Sequence, residues 1–315
     1  MAFTIGNTQY NGEVIQQLFT ELTTGNELFE AGIFRIVEGG YESTIAIPTV
    51  ESTVALQPRA EEPVTSGSTQ YKEKVITMAD VMIYQEFNPK TFENIWRPYQ
   101  STGPLVFEEL DPEVQSALLS TILAKKGVKV SEIAFQGDTA LTGATSSNIH
   151  LTLADGVIKL ALADSAVKDV ANPAPLTAAN IVSALTQTYK TSVVEARSQD
   201  NYKFLMSVAD WDKYVDAQQS EQFKGAFFTA DGTPRYRGKD IIVLNSVPEN
   251  VIIATPVSTS DDSNLYMGAG LVIDHDTLRV ERKANGSEKW FVKMLFKLGF
   301  QIKFGKDVTL YDGRA

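Results

Sequence analysis

The stretch KWFVKMLFKLGFQIKF, Lys289 to Phe304, places a large apolar side chain at every second position over sixteen residues. Successive side chains of a strand point to opposite faces, so this period of two predicts a strand with one continuous apolar face. The apolar face carries Trp290, Val292, Met294, Phe296, Leu298, Phe300, Ile302 and Phe304. At about 3.3 Å per residue the strand would be roughly 53 Å long, whereas ordinary strands have about 3–10 residues. We therefore expect it to be the scaffold of a sheet.

The opposite face of this strand is basic. Between Arg279 and Lys306 the chain has eight cationic and two anionic residues, in a protein whose formal net charge is −11. A solvated strand face accounts for this pattern, and so does a surface that meets DNA or an acidic neighbour. Any DNA contact would involve phosphates and would be independent of base sequence. The candidate inner-face or inter-subunit residues are Lys289, Lys293, Lys297 and Lys303.

A second β region lies between Tyr41 and Thr77. Its β-branched residues alternate from Thr44 to Thr49, and strand character returns at Tyr71 after the polar stretch PRAEEPVTSGS. Pro, Gly and polar residues are typical of a solvated turn, so the pattern predicts a long hairpin with an exposed tip. A hairpin alone is marginally stable in water, and we expect a neighbouring subunit to support this one. Its candidate inter-subunit residues are Arg59, Glu61, Glu62, Lys72 and Lys74.

The clearest helix signal follows the hairpin. Asp111 is a suitable N-cap, Pro112 occupies a favourable first position, and two lysines precede Gly127. Glycine commonly ends helices, so we expect the helix to span Asp111 to Lys126 and to stop at Gly127. An earlier amphipathic segment, Gly12 to Leu22, predicts a helical N-terminal arm.

Shorter elements follow in the second half of the chain. His150–Leu153 is predicted as a strand, and Thr177 as the N-cap of a helix. Helical patterns then alternate with apolar strands at 203–208, 241–244 and 251–254. This order predicts an α+β fold with a small second sheet.

Composition excludes several classes of site. The 315 residues include no cysteine, which removes thiolate nucleophiles, disulfides and cysteine–zinc sites. Only His150 and His275 are present, too few for most metal sites and Ser-His schemes. No signal peptide or apolar run of about 20 residues is evident, so we expect no membrane partner. The sequence predicts no catalytic residue, no metal and no cofactor.

Several polar clusters have ordinary structural explanations. Asp274-His275-Asp276 has the wrong geometry for a shared site, because neighbouring strand residues point to opposite faces. Asp261-Asp262 with Asn264, and Asp231-Gly232, lack the spacing of a calcium loop and are expected to be solvated turns. The acidic run from Glu108 to Glu113 suits a helix N-terminus, although pairing with a basic patch on a neighbouring subunit is also open.

The order of these elements resembles the major capsid proteins of tailed bacteriophages, which have the Hong-Kong-97-type fold shared with encapsulin shells. The resemblance implies an N-arm (1–40), an E-loop (41–85), a peripheral domain (86–175 and 271–315) and an axial domain (176–270). The helix from Asp111 to Lys126 would be the spine helix of the peripheral domain. YRGKDIIVLNSVPENVIIAT, Tyr236 to Thr255, resembles the family's strand–Pro turn–strand pattern. LYMGAGLVIDHDTLRVERK, Leu265 to Lys283, resembles capsid sequences of phages that infect Bacteroidetes-type hosts.

The resemblance also implies a function and partners. The chain would assemble with itself into hexamers and pentamers of an icosahedral or prolate head that encloses double-stranded DNA. Because the arm begins near Met1, a separate scaffolding protein is expected, together with a portal and decoration proteins. Assembly would take place in the host cytoplasm. The alternatives are an encapsulin-like compartment, distinguished by cargo instead of DNA, and an unrelated α+β enzyme, which would require a pocket of convergent polar groups.

Overall fold

A computed structural model describes residues 27–39, 42–59, 61, 65, 67–88, 126–219, 234–270, 278–283 and 289–314. Within these residues the chain forms two mixed sheets, one long hairpin and a set of short helices. The strands are β1 (Arg35–Glu38), β2 (Thr44–Val54), β3 (Gly67–Thr77), β4 (Ala79–Phe87), β5 (Lys168–Asp169), β6 (Tyr202–Ser207), β7 (Arg235–Tyr236), β8 (Lys239–Leu244), β9 (Val251–Pro256), β10 (Leu265–Gly270), β11 (Leu278–Arg282), β12 (Trp290–Ile302) and β13 (Thr309–Asp312).

The helices are short, and most of them lie between β4 and β7 in sequence. Residues 126–136 are helical as well. The remaining α-helices are Glu27–Glu30, Val157–Ala163, Ile181–Thr191, Val194–Ser198 and Val208–Gln219, and the 3-10 turns are Ile149–Thr152 and Gly305–Asp307.

The five-stranded sheet is built around β12. β4 pairs with it on one side, while β11 and β10 pair with its two halves on the other, and β1 extends the sheet beyond β10. The predicted long strand is therefore confirmed at Trp290–Ile302. Its even-numbered side chains are buried against a core that includes Phe34 and Phe135. Ile133 and Ala134, on the helical residues 126–136, pack into the same core.

The six-stranded sheet has the order β5-β13-β9-β6-β8-β7. β6 and β9 are fully apolar at their centres and buried on both faces, which explains their continuous hydrophobic sequence. Helices Ile181–Thr191 and Val208–Gln219 cover one face and enclose a second core around Phe204 and Tyr214. The predicted α+β class is confirmed.

β2 and β3 form an antiparallel hairpin in continuous register from Thr44–Thr77 to Val54–Gly67. The predicted excursion is therefore present. A small third core lies under its base, formed by Ile45, Ile47, Ile76, Met78 and Tyr266. Beyond this base most of the hairpin's described side chains are exposed.

Three local predictions are wrong. Gly127 does not end a helix, since residues 126–136 are helical and Ser131 Oγ donates to the Gly127 carbonyl at 3.0 Å. Thr177 is not the N-cap, because the Asn180 side chain accepts the Thr177 N–H at 2.7 Å and forms a turn that delays the helix to Ile181. The predicted strand at His150–Leu153 is a 3-10 turn instead. Asp111 to residue 125 lies outside the described residues.

Candidate assembly surfaces

The outer half of the hairpin carries large apolar side chains in solvent. Val50 and Tyr71 are cross-strand partners on the face turned away from the hairpin's buried base, and they are 60% and 63% exposed. Val54 and Leu56, near the tip, are 81% and 98% exposed. Scattered apolar residues are normal on a surface, but a cluster on the part of a hairpin that lies beyond its small core indicates a contact surface.

The base of the hairpin crosses the sheet over a pair of glycines. Gly268 of β10 and Gly299 of β12 are directly opposite each other in the antiparallel register. A Cβ at Gly299 would lie 2.3 Å from the Thr77 carbonyl oxygen, and one at Gly268 would lie 2.5 Å from the sulfur of Met78. At Gly299 only glycine leaves room for the hairpin backbone, whereas a side chain at Gly268 would displace the Met78 side chain.

Two polar contacts fix the direction of the hairpin. Lys74 Nζ donates to Asp164 Oδ2 at 2.8 Å, joining β3 to the end of helix Val157–Ala163. This hydrogen bond holds the pKa of Asp164 below its usual value. Gln301 Nε2 donates to the Val75 carbonyl at 2.7 Å. Lys74, predicted as an inter-subunit residue, is thus engaged within its own subunit.

The other candidate hairpin residues have different surroundings. Lys72 Nζ donates to Glu51 Oε2 at 2.8 Å across the hairpin, and this bond lowers the pKa of Glu51. Arg59 and Glu61 are exposed near the tip. Glu62 lies outside the described residues.

The lysine-bearing face of β12 is partly occupied by the subunit itself. Lys297 is buried at 7% exposure, with Asp80 Oδ1 at 3.8 Å. Lys303 Nζ donates to the Asp261 carbonyl at 3.1 Å and to the Tyr266 hydroxyl at 3.3 Å. Lys289 is exposed at one end of the strand, and Lys293 is half-buried. The basic face of β12 is therefore only partly exposed to solvent.

The same face also carries apolar side chains that the lysine pattern obscured. Met82 and Tyr84 of β4 are 60% and 48% exposed. In the register they lie opposite Leu295 and Lys293, and Tyr84 stacks on Phe291 with ring centroids 5.4 Å apart. The alternation of Phe291 and Leu295 with lysines in the sequence was the available signal for this mixed patch.

Among the polar clusters predicted to be solvated turns, Asp261 and Asp262 lie within the described residues and pair with nearby side chains of the same subunit. Asp261 pairs with Arg35 at 2.9 Å, and Asp262 accepts a hydrogen bond from Ser258 at 2.8 Å. In the described part of the chain no three His, Cys, Asp or Glu side chains converge on a possible metal position. Asp274-His275-Asp276, Asp231-Gly232 and Glu108–Glu113 lie outside the described ranges. None of the described helices has the length and apolarity to cross a membrane.

The topology of a long-stranded sheet, a second α+β sheet and a projecting hairpin matches solved shell proteins over nearly the whole chain. The chain has the Hong-Kong-97-type phage capsid fold. One similar structure is the satellite phage P4 procapsid with its size determination protein, at TM-score 0.63 and 11% identity, covering 95% of this chain and 99% of that one. The fold prediction is confirmed on this basis.

Two other structures have the same fold. The capsid of a native GTA particle matches at TM-score 0.54 and 12% identity, covering 98% of this chain and 94% of that one. Gordonia phage Cozz matches at TM-score 0.53 and 12% identity, with coverages of 99% and 91%. No protein-family model and no curated protein matches this chain. The similarity is therefore one of fold, at identities too low to carry residue roles across.

Proposed function

We propose that this chain is a major capsid protein, which assembles with itself into the head shell of a tailed phage around double-stranded DNA. The observation that carries the proposal is the projecting hairpin. Its outer half, beyond the small core at its base, exposes Val50, Val54, Leu56 and Tyr71. A capsid fold combined with exposed apolar side chains on the outer half of the hairpin favours a subunit that is completed by its neighbours.

The role is structural in this proposal, with no catalytic step. The described polar groups support it because they join chain segments to one another. Asp210, which is fully buried, accepts hydrogen bonds from Ser207 Oγ and from the Asn250 N–H, both at 2.8 Å. It also pairs with Lys213 at 2.8 Å. These bonds attach helix Val208–Gln219 to the loop before β9 and leave the carboxylate occupied.

The finer parts of the proposal follow from the sequence resemblance. We propose hexamers and pentamers, a separate scaffolding protein, a portal, decoration proteins and assembly in the cytoplasm of a Bacteroidetes-type host. The N-arm, E-loop, peripheral and axial divisions belong to the same proposal. The two sheets support a body of two domains. The chain passes between them more than once, because β9 and β13 pair in the six-stranded sheet while β10 and β12, which lie between them in sequence, pair in the five-stranded sheet.

The test is to express the chain with the scaffolding protein encoded beside it, and to image the products by negative-stain electron microscopy. We expect closed shells of uniform size, with nuclease-protected DNA when packaging proteins are added. Strictly monomeric protein under these conditions would overturn the proposal. Shells that enclose a cargo protein and exclude DNA would replace it with the compartment alternative.

A further inference from the structure

A basic corner lies at one end of the six-stranded sheet, outside the surfaces described above. It is formed by the end of helix Ile181–Thr191, the helix Val194–Ser198 and the turn between β7 and β8. Two guanidinium groups lie over the ring of Tyr189, with Arg197 Cζ 5.1 Å and Arg237 Cζ 5.5 Å from its centroid. Lys190, the next residue of the helix after Tyr189, is exposed.

The arginines of this corner are held in place before any partner arrives. Arg197 Nη1 donates to the Tyr189 carbonyl at 3.1 Å. Arg237 also lies 5.7 Å from the ring centroid of Tyr236, and its φ of 49° is in the left-handed region that few non-glycine residues adopt. Cation–π contacts and a fixed turn lower the entropy lost when a guanidinium binds a carboxylate. Such an arrangement favours a planar anionic partner.

The local anions do not neutralise the corner. Asp240 is engaged by Arg235 at 2.7 Å. Glu195 and Asp200 are exposed nearby in sequence, and among the described residues neither forms an ion pair with Arg197 or Arg237. Residues 189–200 and 235–240 together carry five cations and three anions, so the corner has a positive balance in a chain of net charge −11.

A complementary acidic stripe lies on helix Val208–Gln219. Asp212 and Asp216 are exposed, whereas Asp210 and Tyr214 on the opposite side of the helix are buried. Carboxylates four residues apart repel each other on a helix. Within the described ranges neither of them pairs with a cation of its own chain, because Lys213 is engaged by Asp210.

We propose that the basic corner of one subunit, Lys190, Arg197 and Arg237, binds the acidic stripe, Asp212 and Asp216, of a second copy of this chain. The two surfaces differ, so the contact is head-to-tail, and repetition of it around an axis closes a ring. This inference rests on the proposed function, since it specifies one contact within the shell. A DNA partner is less suited to the corner, because the acidic remainder of the chain repels a polyanion.

Charge reversal tests the pairing. One variant carries Lys190→Glu and Arg237→Glu, a second carries Asp212→Lys and Asp216→Lys, and a third combines all four changes. Particle yield is measured by sedimentation and electron microscopy at low and high salt. We expect each of the first two variants to lose on the order of tenfold in assembled protein at low salt, because every contact of the ring becomes repulsive. The combined variant should recover most of the yield.

Controls separate folding from assembly. Lys168→Glu reverses an exposed cation on β5, outside both surfaces, and should assemble as the wild type does. Arg237→Gln removes the charge without adding repulsion and should give an intermediate yield. Thermal unfolding of the dissociated subunits should stay close to that of the wild type, with only the small loss expected when the cation–π contacts of Arg237 are removed.

Four outcomes would overturn the inference. Wild-type yield in the two variants that reverse one surface only would overturn the pairing while leaving the shell function intact. A combined variant whose yield does not recover would do the same. Reversals that lower DNA retention without lowering yield would assign the corner to DNA instead. A wild-type chain that forms no particles would overturn the proposed function and the pairing together.

Discussion

Gly268 and Gly299 lie opposite each other on adjacent antiparallel strands, and the hairpin base crosses the sheet directly above them. This pairing decides where the hairpin leaves the body of the subunit. A side chain at either position would occupy the space that Thr77 and Met78 now fill. The position of the hairpin therefore depends on two residues that lie far from it in sequence.

The glycine crossing can be tested with Gly299→Ala. The added Cβ would lie 2.3 Å from a backbone oxygen, so the hairpin must shift. We expect a loss of about 1–3 kcal/mol in the free energy of unfolding, measured by urea denaturation, and faster proteolysis within residues 50–72. Gly143→Ala is the control, since its Cβ would meet nothing within 4 Å and should cost only about 1 kcal/mol for its left-handed backbone. Equal effects at the two sites would contradict the steric argument.

The Lys74–Asp164 pair predicts a pH dependence. Lys74 lowers the pKa of Asp164, so the pair stabilises the folded chain above the ordinary aspartate pKa of about 3.9 and loses its effect as pH falls through the lowered value. We expect Lys74→Met to reduce the free energy of unfolding by about 0.5–1 kcal/mol at pH 7. The difference from the wild type should disappear in acid.

The two hairpin lysines, Lys72 and Lys74, should contribute differently to the free energy of unfolding. Lys72→Met breaks the more exposed bond to Glu51, and we expect a smaller loss than for Lys74→Met. Thermal unfolding of both variants at several pH values gives the comparison. A Lys74 effect that stays unchanged at pH values acid enough to protonate Asp164 would show that packing, and not charge, accounts for it.

The exposed hairpin face should affect assembly more than folding. Val50→Ser with Tyr71→Ser removes the paired apolar side chains of the outer half. Since both are largely exposed in the subunit, we expect the free energy of unfolding to change by less than about 0.5 kcal/mol, while particle yield falls strongly. Ser52→Ala with Thr69→Ala, on the same face, is the matched control. Unchanged yield in the Val50–Tyr71 variant would remove this surface from the assembly contacts.

The two ends of the lysine face should respond differently to charge reversal. Lys297 is buried near Asp80, and Lys289 is exposed. We expect Lys297→Glu to cost about 2–4 kcal/mol in the free energy of unfolding, because it places a carboxylate in a buried position beside another. Lys289→Glu should cost less than about 0.5 kcal/mol. Chemical denaturation of the dissociated subunit measures both, and a reversed order would contradict the burial of Lys297.

Periodicity predicted the long strand and the hairpin well, because both depend on alternation along a single segment. Trp290–Ile302 keeps its apolar face against the core, and Thr44–Thr77 pairs in continuous register. The same local signals were wrong at Gly127 and Thr177. The position of a helix end depends on which backbone groups find hydrogen-bond partners. At Thr177 the backbone N–H binds the Asn180 side chain, and helix propensity alone does not predict this bond.

The sequence by itself determined the α+β class, the apolar and basic faces of β12, and the absence of cysteine chemistry, since each follows from residue type and spacing. Only the tertiary structure decided that Lys297 is buried, that Lys74 reaches Asp164, and that Gly268 meets Gly299 beneath the hairpin. These contacts join segments tens to hundreds of residues apart. Alternation assigns a side chain to a face, but what covers that face depends on where distant parts of the chain pack.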